Sequence, residues 1–248
     1  MPESRNSIQY VDTADDVVRV VQLTDTHLCK TRGGTLLGMD TDHSLQAVID
    51  LVKTERANAH LLLGTGDLAD GGARPAYDRL QVYFDQLTPD NYWLPGNHDS
   101  REAMAAAASR PNRLCREIRI SRWQLLLLDS QVPGQVGGTL GENELVQTAQ
   151  EHALHTLVCL HHQPVAVGCS WLDEQKVSDA DAFFAVLDRY PGVRAVLWGH
   201  VHQEIDRQRN GVRLLASPST CVQFAPGSEN FKVDDQPPGY RWLELHGD

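Results

Sequence analysis

Val17-Val-Arg-Val-Val-Gln-Leu-Thr-Asp-Thr-His27 opens with seven valine-rich residues and stops at an Asp-x-His triplet. A short, nearly unbroken apolar run of this kind predicts a buried strand. Metal-ligand types at its carboxyl end stand where α/β sheets collect their ligands. The pattern recurs four times along the chain. Leu61–Leu63 leads into Gly64-Thr-Gly-Asp67-Leu-Ala-Asp70, and Trp93-Leu94 into Pro95-Gly-Asn97-His98-Asp99. Val158–Leu160 leads into His161-His162-Gln-Pro164, and Val196–Trp198 into Gly199-His200-Val-His202. Five strand ends thus each deliver Asp, His or Asn, and one sheet edge can bring together residues that are remote in sequence.

The strands predicted are Val17–Leu23, His60–Leu63, Tyr92–Leu94, Leu125–Leu128, Thr156–Leu160 and Val193–Trp198. Helical patterns lie between them, at Leu45–Val52 with Thr41 and Asp42 as caps, Ala76–Phe84, Glu142–Gln150 and Asp179–Leu187. Glu204–Arg209, Asn210-Gly211 and Val212–Ala216 predict a hairpin. Strands alternating with helices and closed by a hairpin indicate an α/β fold with mixed sheets. No repeat or linker divides the chain, so one domain over residues 1–248 is expected. The Pro/Gly-rich stretches 132–141 and 225–239 are expected to be surface loops.

Composition narrows the function. The chain has 248 residues, 41% apolar and 22% charged, with 22 basic and 33 acidic side chains and a formal charge of −11. That surface repels nucleic acid, and no basic run makes a local exception. A small anion is compatible, because bound divalent metals reverse the field inside a pocket. Cys29, Cys115, Cys159, Cys169 and Cys221 are odd in number and irregularly spaced, so no disulfide framework is expected. They read as small core residues, with redox sensitivity considered only for Cys29 and Cys169, which lie near motifs. The N-terminus lacks the basic and apolar regions of a signal peptide, and no apolar run approaches the roughly 20 residues of a membrane span. A reduced, cytoplasmic protein without a membrane partner is the expectation.

Imidazole nitrogens with carboxylate and amide oxygens, and no thiolates, suit iron, manganese, zinc or cobalt rather than a structural cysteine-type zinc site. Two metals about 3.5–4 Å apart clamp a phosphate and activate a water for in-line attack. Glycines before Asp67, Asn97 and His200 permit close backbone approach. Gly-His-x-His on a strand would put two imidazoles on one side. Adjacent His161 and His162 should point apart, leaving at most one as a ligand. His43, His60, His152, His155 and His246 lack this context and are expected at the surface or at helix ends.

The ordered set Asp25-x-His27, Gly66-Asp67, Gly96-Asn97-His98-Asp99, His161 and Gly199-His200-x-His202 resembles the calcineurin-like metallophosphoesterase superfamily. Gly168-Cys-Ser-Trp171-Leu-Asp173, Pro218-Ser-Thr-Cys-Val-Gln-Phe224 and Pro238-Gly-Tyr-Arg241 are similar to the class III bacterial 3',5'-cyclic AMP phosphodiesterases. The resemblance implies a four-layer α/β/β/α sandwich and hydrolysis of cyclic AMP to 5'-AMP. It implies one metal on Asp25, His27, Asp67 and His202, with Asp67 bridging to a second on Asn97, His161 and His200. Iron and manganese are the metals it suggests. His98 would be catalytic, oriented by Asp70. His27, Asp67, Asn97, His98 and His202 would touch the phosphate. A monomer or small homo-oligomer is expected. A phosphodiesterase for glycerophosphodiesters or other nucleotides, and a non-catalytic scaffold of the same fold, stay open as alternatives. Trp171 has two readings: a face for the adenine, or an anchor for its loop.

Overall fold

A computed structural model describes residues 8–247 except 57, 109, 111, 142, 143 and 145–154. The predicted helix Glu142–Gln150, apart from Glu144, and His152 therefore lie outside the described residues. In chain order the first elements are β1 (Ile8–Val11), β2 (Val17–Leu23), β3 (Thr35–Leu36), β4 (Met39–Asp40), α1 (Thr41–Glu55) and β5 (Leu61–Thr65). Then come α2 (Arg74–Phe84), β6 (Asn91–Leu94), α3 (Arg101–Ala107), β7 (Glu117–Ile120), β8 (Trp123–Leu127) and β9 (His155–Cys159). The chain continues through α4 (Ser170–Asp173), α5 (Ala180–Leu187), β10 (Val193–Trp198), β11 (Ile205–Arg209) and β12 (Val212–Ala216). It ends with β13 (Gln223–Phe224), β14 (Val233–Asp234) and β15 (Arg241–His246).

Two mixed sheets form the centre. One has four strands in the order β15-β2-β5-β6, the other seven in the order β1-β7-β8-β9-β10-β12-β11. In the first, β2, β5 and β6 run parallel and β15 antiparallel. In the second, β8, β9, β10 and β12 are parallel. The period-2 alternation of strands sorts the side chains. Val18 and Val20 of β2 face a core shared with Leu125, Leu157 and Leu197 of the other sheet. Val21 and Leu23 of the same strand face α1 to α3, with Leu45, Ile49, Tyr77, Leu80 and Met104. Beyond the larger sheet, Val158, Leu160, Val196 and Trp198 pack on Leu172 of α4 and Phe183, Phe184 and Leu187 of α5. Helices, sheet, sheet and helices make the four layers. Each fully buried Leu or Val contributes about 1.5–3 kcal/mol, so both faces of each sheet are covered by apolar packing.

Gln22 ties the layers together next to the strand ends. Its buried amide donates to Thr65 Oγ1 at 2.6 Å in its own sheet and to the Trp198 carbonyl at 3.2 Å in the other. The carboxyl ends of β2, β5 and β6 therefore stand over those of β9 and β10.

Several details differ from the sequence expectation. Asp40, not Thr41 or Asp42, caps α1, its Oδ1 accepting from His43 N at 2.9 Å. Thr41 and Asp42 fall inside the first turn. The stretch 225–239 is not wholly loop, since Val233–Asp234 pairs with Gln223–Phe224. Strands β1, β7 and β15 were not expected. They are short or half-exposed, and β1 and β15 pair with strands distant in sequence, so a local window carries little of their signal. The hairpin forms at Asn210-Gly211 with both residues at positive φ. His60 and His155 are half-buried rather than at the surface: His60 Nδ1 accepts from Arg19 N at 2.8 Å, and His155 opens β9. Among the described residues, no helix is long and apolar enough to cross a membrane.

Candidate metal centre

Nine described non-glycine residues have positive φ, and five of them are Asp25, His27, Asp67, His200 and His202. Left-handed backbone is costly for most side chains, and Asp, Asn and His tolerate it best. The strain turns the chain sharply as each strand ends and aims the side chain over the sheet edge. It is held by backbone pairing: Asp25 N donates to Gly66 O at 3.0 Å and His27 N to Asp67 O at 2.9 Å. His200 and His202 consequently lie in a loop after β10, not on alternate strand positions, and their rings serve different clusters. Gly96 has no room for a side chain, since a β-carbon there would meet the Asp67 carboxylate and lie 2.7 Å from His161 Nε2.

Two clusters result, and both are buried. Asp25, His27 and His202 form one: His202 Nε2 is 3.3 Å from Asp25 Oδ1 and 3.3 Å from His27 Nε2. The other centres on His161 Nε2, which lies 3.3 Å from Asp67 Oδ2, 3.2 Å from Asn97 Oδ1 and 3.3 Å from His200 Nδ1. Asp67 stands between them, with Oδ2 also 3.8 Å from His27 Nε2, and its Oδ1 accepts His98 N at 2.8 Å.

Outer hydrogen bonds assign the imidazole tautomers. His161 Nδ1 donates to the Thr65 carbonyl at 2.9 Å, His202 Nδ1 to Val222 O at 2.7 Å, and His200 Nε2 to Gln175 Oε1 at 3.1 Å. Each of these rings then turns a bare nitrogen inward, the arrangement by which outer partners orient metal-binding imidazoles. Around His161 Nε2 stand a carboxylate, an amide oxygen and another bare nitrogen. The group needs a positive charge among these acceptors, a proton on His161 Nε2 in the metal-free chain or a metal ion in its place. This donor set fits metal ions, and the two Asp/His clusters that share Asp67 fit two.

The ionisation of the groups follows the same packing. Burial alone would raise the Asp67 carboxyl, but the imidazoles of His161 and His27 outweigh it and hold it well below the usual range. Asp25 is lowered likewise, His202 overcoming burial. Burial lowers His27 to about 4 despite the Asp67 charge, and lowers His200 strongly. His161 goes the other way, to about 9, because Asp67 prevails over burial. His162 also lies within reach of His161 and His200. Its two nitrogens are engaged by Ser130 Oγ at 2.8 Å and Val136 O at 3.0 Å, and burial lowers it to about 3.

His98 is the exposed imidazole at the centre. Its ring meets His27 edge-on at 4.9 Å, and its Nδ1 lies 3.2 Å from Asp70 Oδ1. All the residues expected at the site are thus brought together. Sequence reading missed their supports. Asp99 is buried and accepts from Leu68 N, Ala69 N, Gly96 N and Tyr77 Oη at 2.7–3.1 Å, pinning the Asp67 loop to the Asn97 loop. Burial, and then the Asp67 charge, push its carboxyl up to about 6. It was visible as the end of Gly-Asn-His-Asp, but nothing in that motif says that the carboxylate points inward. Gln131, bonded to Gly96 O and Asp99 O at 2.7 and 2.6 Å, and Gln175 carried no signal. Trp171 is half-buried and donates through Nε1 to Ser228 Oγ at 3.2 Å, which favours an anchoring role. Cys115, Cys159, Cys169 and Cys221 are buried and Cys29 is half-exposed, all as free thiols.

Residues 18–204 match the calcineurin-like phosphoesterase family. The chain is 45% identical over 240 residues to the 3',5'-cyclic adenosine monophosphate phosphodiesterase CpdA of Pseudomonas aeruginosa, covering 94% of this chain and 88% of that protein. It is 42% identical over 237 residues to the protein of the same name from Escherichia coli strain K12, covering 93% and 86%. A dimetal phosphatase from Danio rerio shares the fold, with a TM-score of 0.67 at 15% identity over 94% of this chain and 100% of that one. Sequence, fold and donor set agree, and the chain belongs to the calcineurin-like phosphoesterase family.

Proposed function

We propose that this protein hydrolyses 3',5'-cyclic AMP to 5'-AMP at a centre of two metal ions, iron and manganese being the metals that the family resemblance suggests. Asp25, His27, Asp67 and His202 hold one ion; Asp67, Asn97, His161 and His200 hold the other. The observation that carries the reading is the pair of buried clusters sharing Asp67. Support for the substrate comes from identity, across nearly the whole chain, to proteins named for that activity.

When bound, the ions supply positive charge to the phosphoryl oxygens and lower the pKa of water. The chain's own residues do the rest. His27, Asp67, Asn97, His98 and His202 border the place where the phosphate lies. Water adds to phosphorus and gives up a proton to solvent, the bond to the 3'-oxygen breaks, and that oxygen leaves with a proton from His98, which recovers one from solvent. Asp70 accepts from His98 Nδ1 and so presents Nε2 to the leaving oxygen, the role of a positioned general acid. The five free cysteines fit a reducing cytoplasm. The enzyme works there as a monomer or small homo-oligomer, and its acidic surface has no part in binding nucleic acid.

The test is a substrate panel with protein loaded with iron or manganese. Cyclic AMP, cyclic GMP, 2',3'-cyclic AMP and a glycerophosphodiester are compared by kcat/KM. Cyclic AMP should lead and yield only 5'-AMP. A lead for the glycerophosphodiester, or 3'-AMP as product, would sink the reading.

A further inference from the structure

Beside the metal centre the loop after His161 meets the β13–β14 hairpin in a cluster of three aromatic rings. Phe224 lies flat on His202, the ring centroids 4.1 Å apart and the planes 9° from parallel. Trp171 and Phe231 meet Phe224 edge-on at 5.2 and 5.4 Å, and each other at 5.4 Å. The three rings differ in what they have left to offer. One face of Phe224 is taken by His202. Trp171 is half-buried, and its N–H is taken by Ser228. Phe231 is 52% exposed, the most open of the three.

Phe231 is also held in place. Its edge contacts are of the geometry that aromatic pairs prefer. Its loop is closed by Ala225 N donating to Lys232 O at 2.8 Å and Ser228 Oγ to Ala225 O at 2.9 Å. A lone exposed phenylalanine needs no explanation. This one is preorganised on a cluster continuous with the centre, two ring contacts from His202. In a 3',5'-cyclic nucleotide the phosphate is fused to the ribose. Once phosphorus is seated, the base can lie only one sugar away.

We propose that Phe231 is the platform for the purine of the substrate, with Phe224 and Trp171 as the residues that position it. The proposal rests on the phosphodiesterase reading above and adds the specificity-determining contact. A stacked base prefers a rigid, preformed aromatic face, because little side-chain entropy is then lost on binding.

The experiment compares cyclic AMP with ribose 3',5'-cyclic phosphate, which lacks the base, for wild type and for Phe231→Ala, Phe231→Leu and Phe231→Tyr. The proposal expects Phe231→Ala and Phe231→Leu to raise KM for cyclic AMP about 5- to 150-fold, the equivalent of about 1–3 kcal/mol per stacked base. The preference for cyclic AMP over the base-free substrate should shrink by the same factor. Phe231→Tyr should restore both. Leucine keeps apolar bulk without a π-face, so a leucine variant that behaves as wild type overturns the proposal. An equal loss on both substrates, or no change on either, overturns it too. Melting curves confirm that each variant is folded. Failure of the phosphodiesterase reading is distinguishable, because wild type itself would then leave cyclic AMP intact.

Discussion

His98 Nδ1 and Asp70 Oδ1 stand 3.2 Å apart, with both side chains about two-fifths exposed at the rim of an otherwise buried centre. The contact fixes which nitrogen of His98 faces outward, and the ring lies beside His27 and Asp67 without being needed to complete either cluster. His98→Ala is therefore expected to keep its metals while losing about 10²–10⁴-fold in kcat, the usual scale of general acid–base help. Asp70→Asn should lose less and in the same sense. Elemental analysis alongside kinetics checks this, and metal loss in His98→Ala equal to that of a ligand variant would count against the role.

Asp67 lies between the clusters, within reach of both His27 and His161, so Asp67→Ala should abolish activity and lower metal content at both sites. Asn97→Ala should weaken chiefly the His161 site. Chelation should act on stability as well, because the inward-facing acceptors lose their cations. Metal present at about 100 times its Kd stabilises by about 2.7 kcal/mol, which for a chain of this size is a shift of about 5–10 °C in Tm. Elemental analysis and melting curves before and after chelation measure both effects. Asp67→Ala holding two metals per chain would overturn the bridging assignment.

Asp99→Ala removes the acceptor for three buried backbone N–H groups and the Tyr77 hydroxyl. Each buried donor left unpaired costs about 1–3 kcal/mol, so the variant should lose at least about 3 kcal/mol and bind metal more weakly. Thermal unfolding of the metal-free protein isolates the stability loss, and a metal titration reads the second effect. An unchanged Tm in the metal-free state would show that the two loops do not depend on this carboxylate.

Trp171→Ala should behave as the loss of an anchor. With its hydrogen bond to Ser228 and its contacts to Phe224 and Phe231 gone, Tm should fall, and turnover of cyclic AMP and of bis(p-nitrophenyl) phosphate should both fall, that of cyclic AMP further because Phe231 loses a support. A rise in KM confined to cyclic AMP, with Tm unchanged, would instead make Trp171 the base-stacking residue.

Local sequence sufficed for the elements whose physics is local. Val17–Leu23 and Val193–Trp198 are strands because their runs are apolar on both faces, and Asn210-Gly211 turns because those residues tolerate positive φ. The donor set was legible for a related reason: a residue at the end of a buried strand has nowhere to go but the sheet edge. The remaining features are relations between distant segments. That Gln22 joins the two sheets, that His200 and His202 serve different clusters, and that Trp171 meets Phe224 and Phe224 lies on His202 all depend on how the layers close. The inward turn of Asp99 depends on it too, since three of its donors, Leu68 N, Ala69 N and Tyr77 Oη, come from other segments. Periodicity and propensity report what one segment prefers to bury. Tertiary packing alone decides which polar atom meets which, because that choice is made by close approach between layers that share no local sequence.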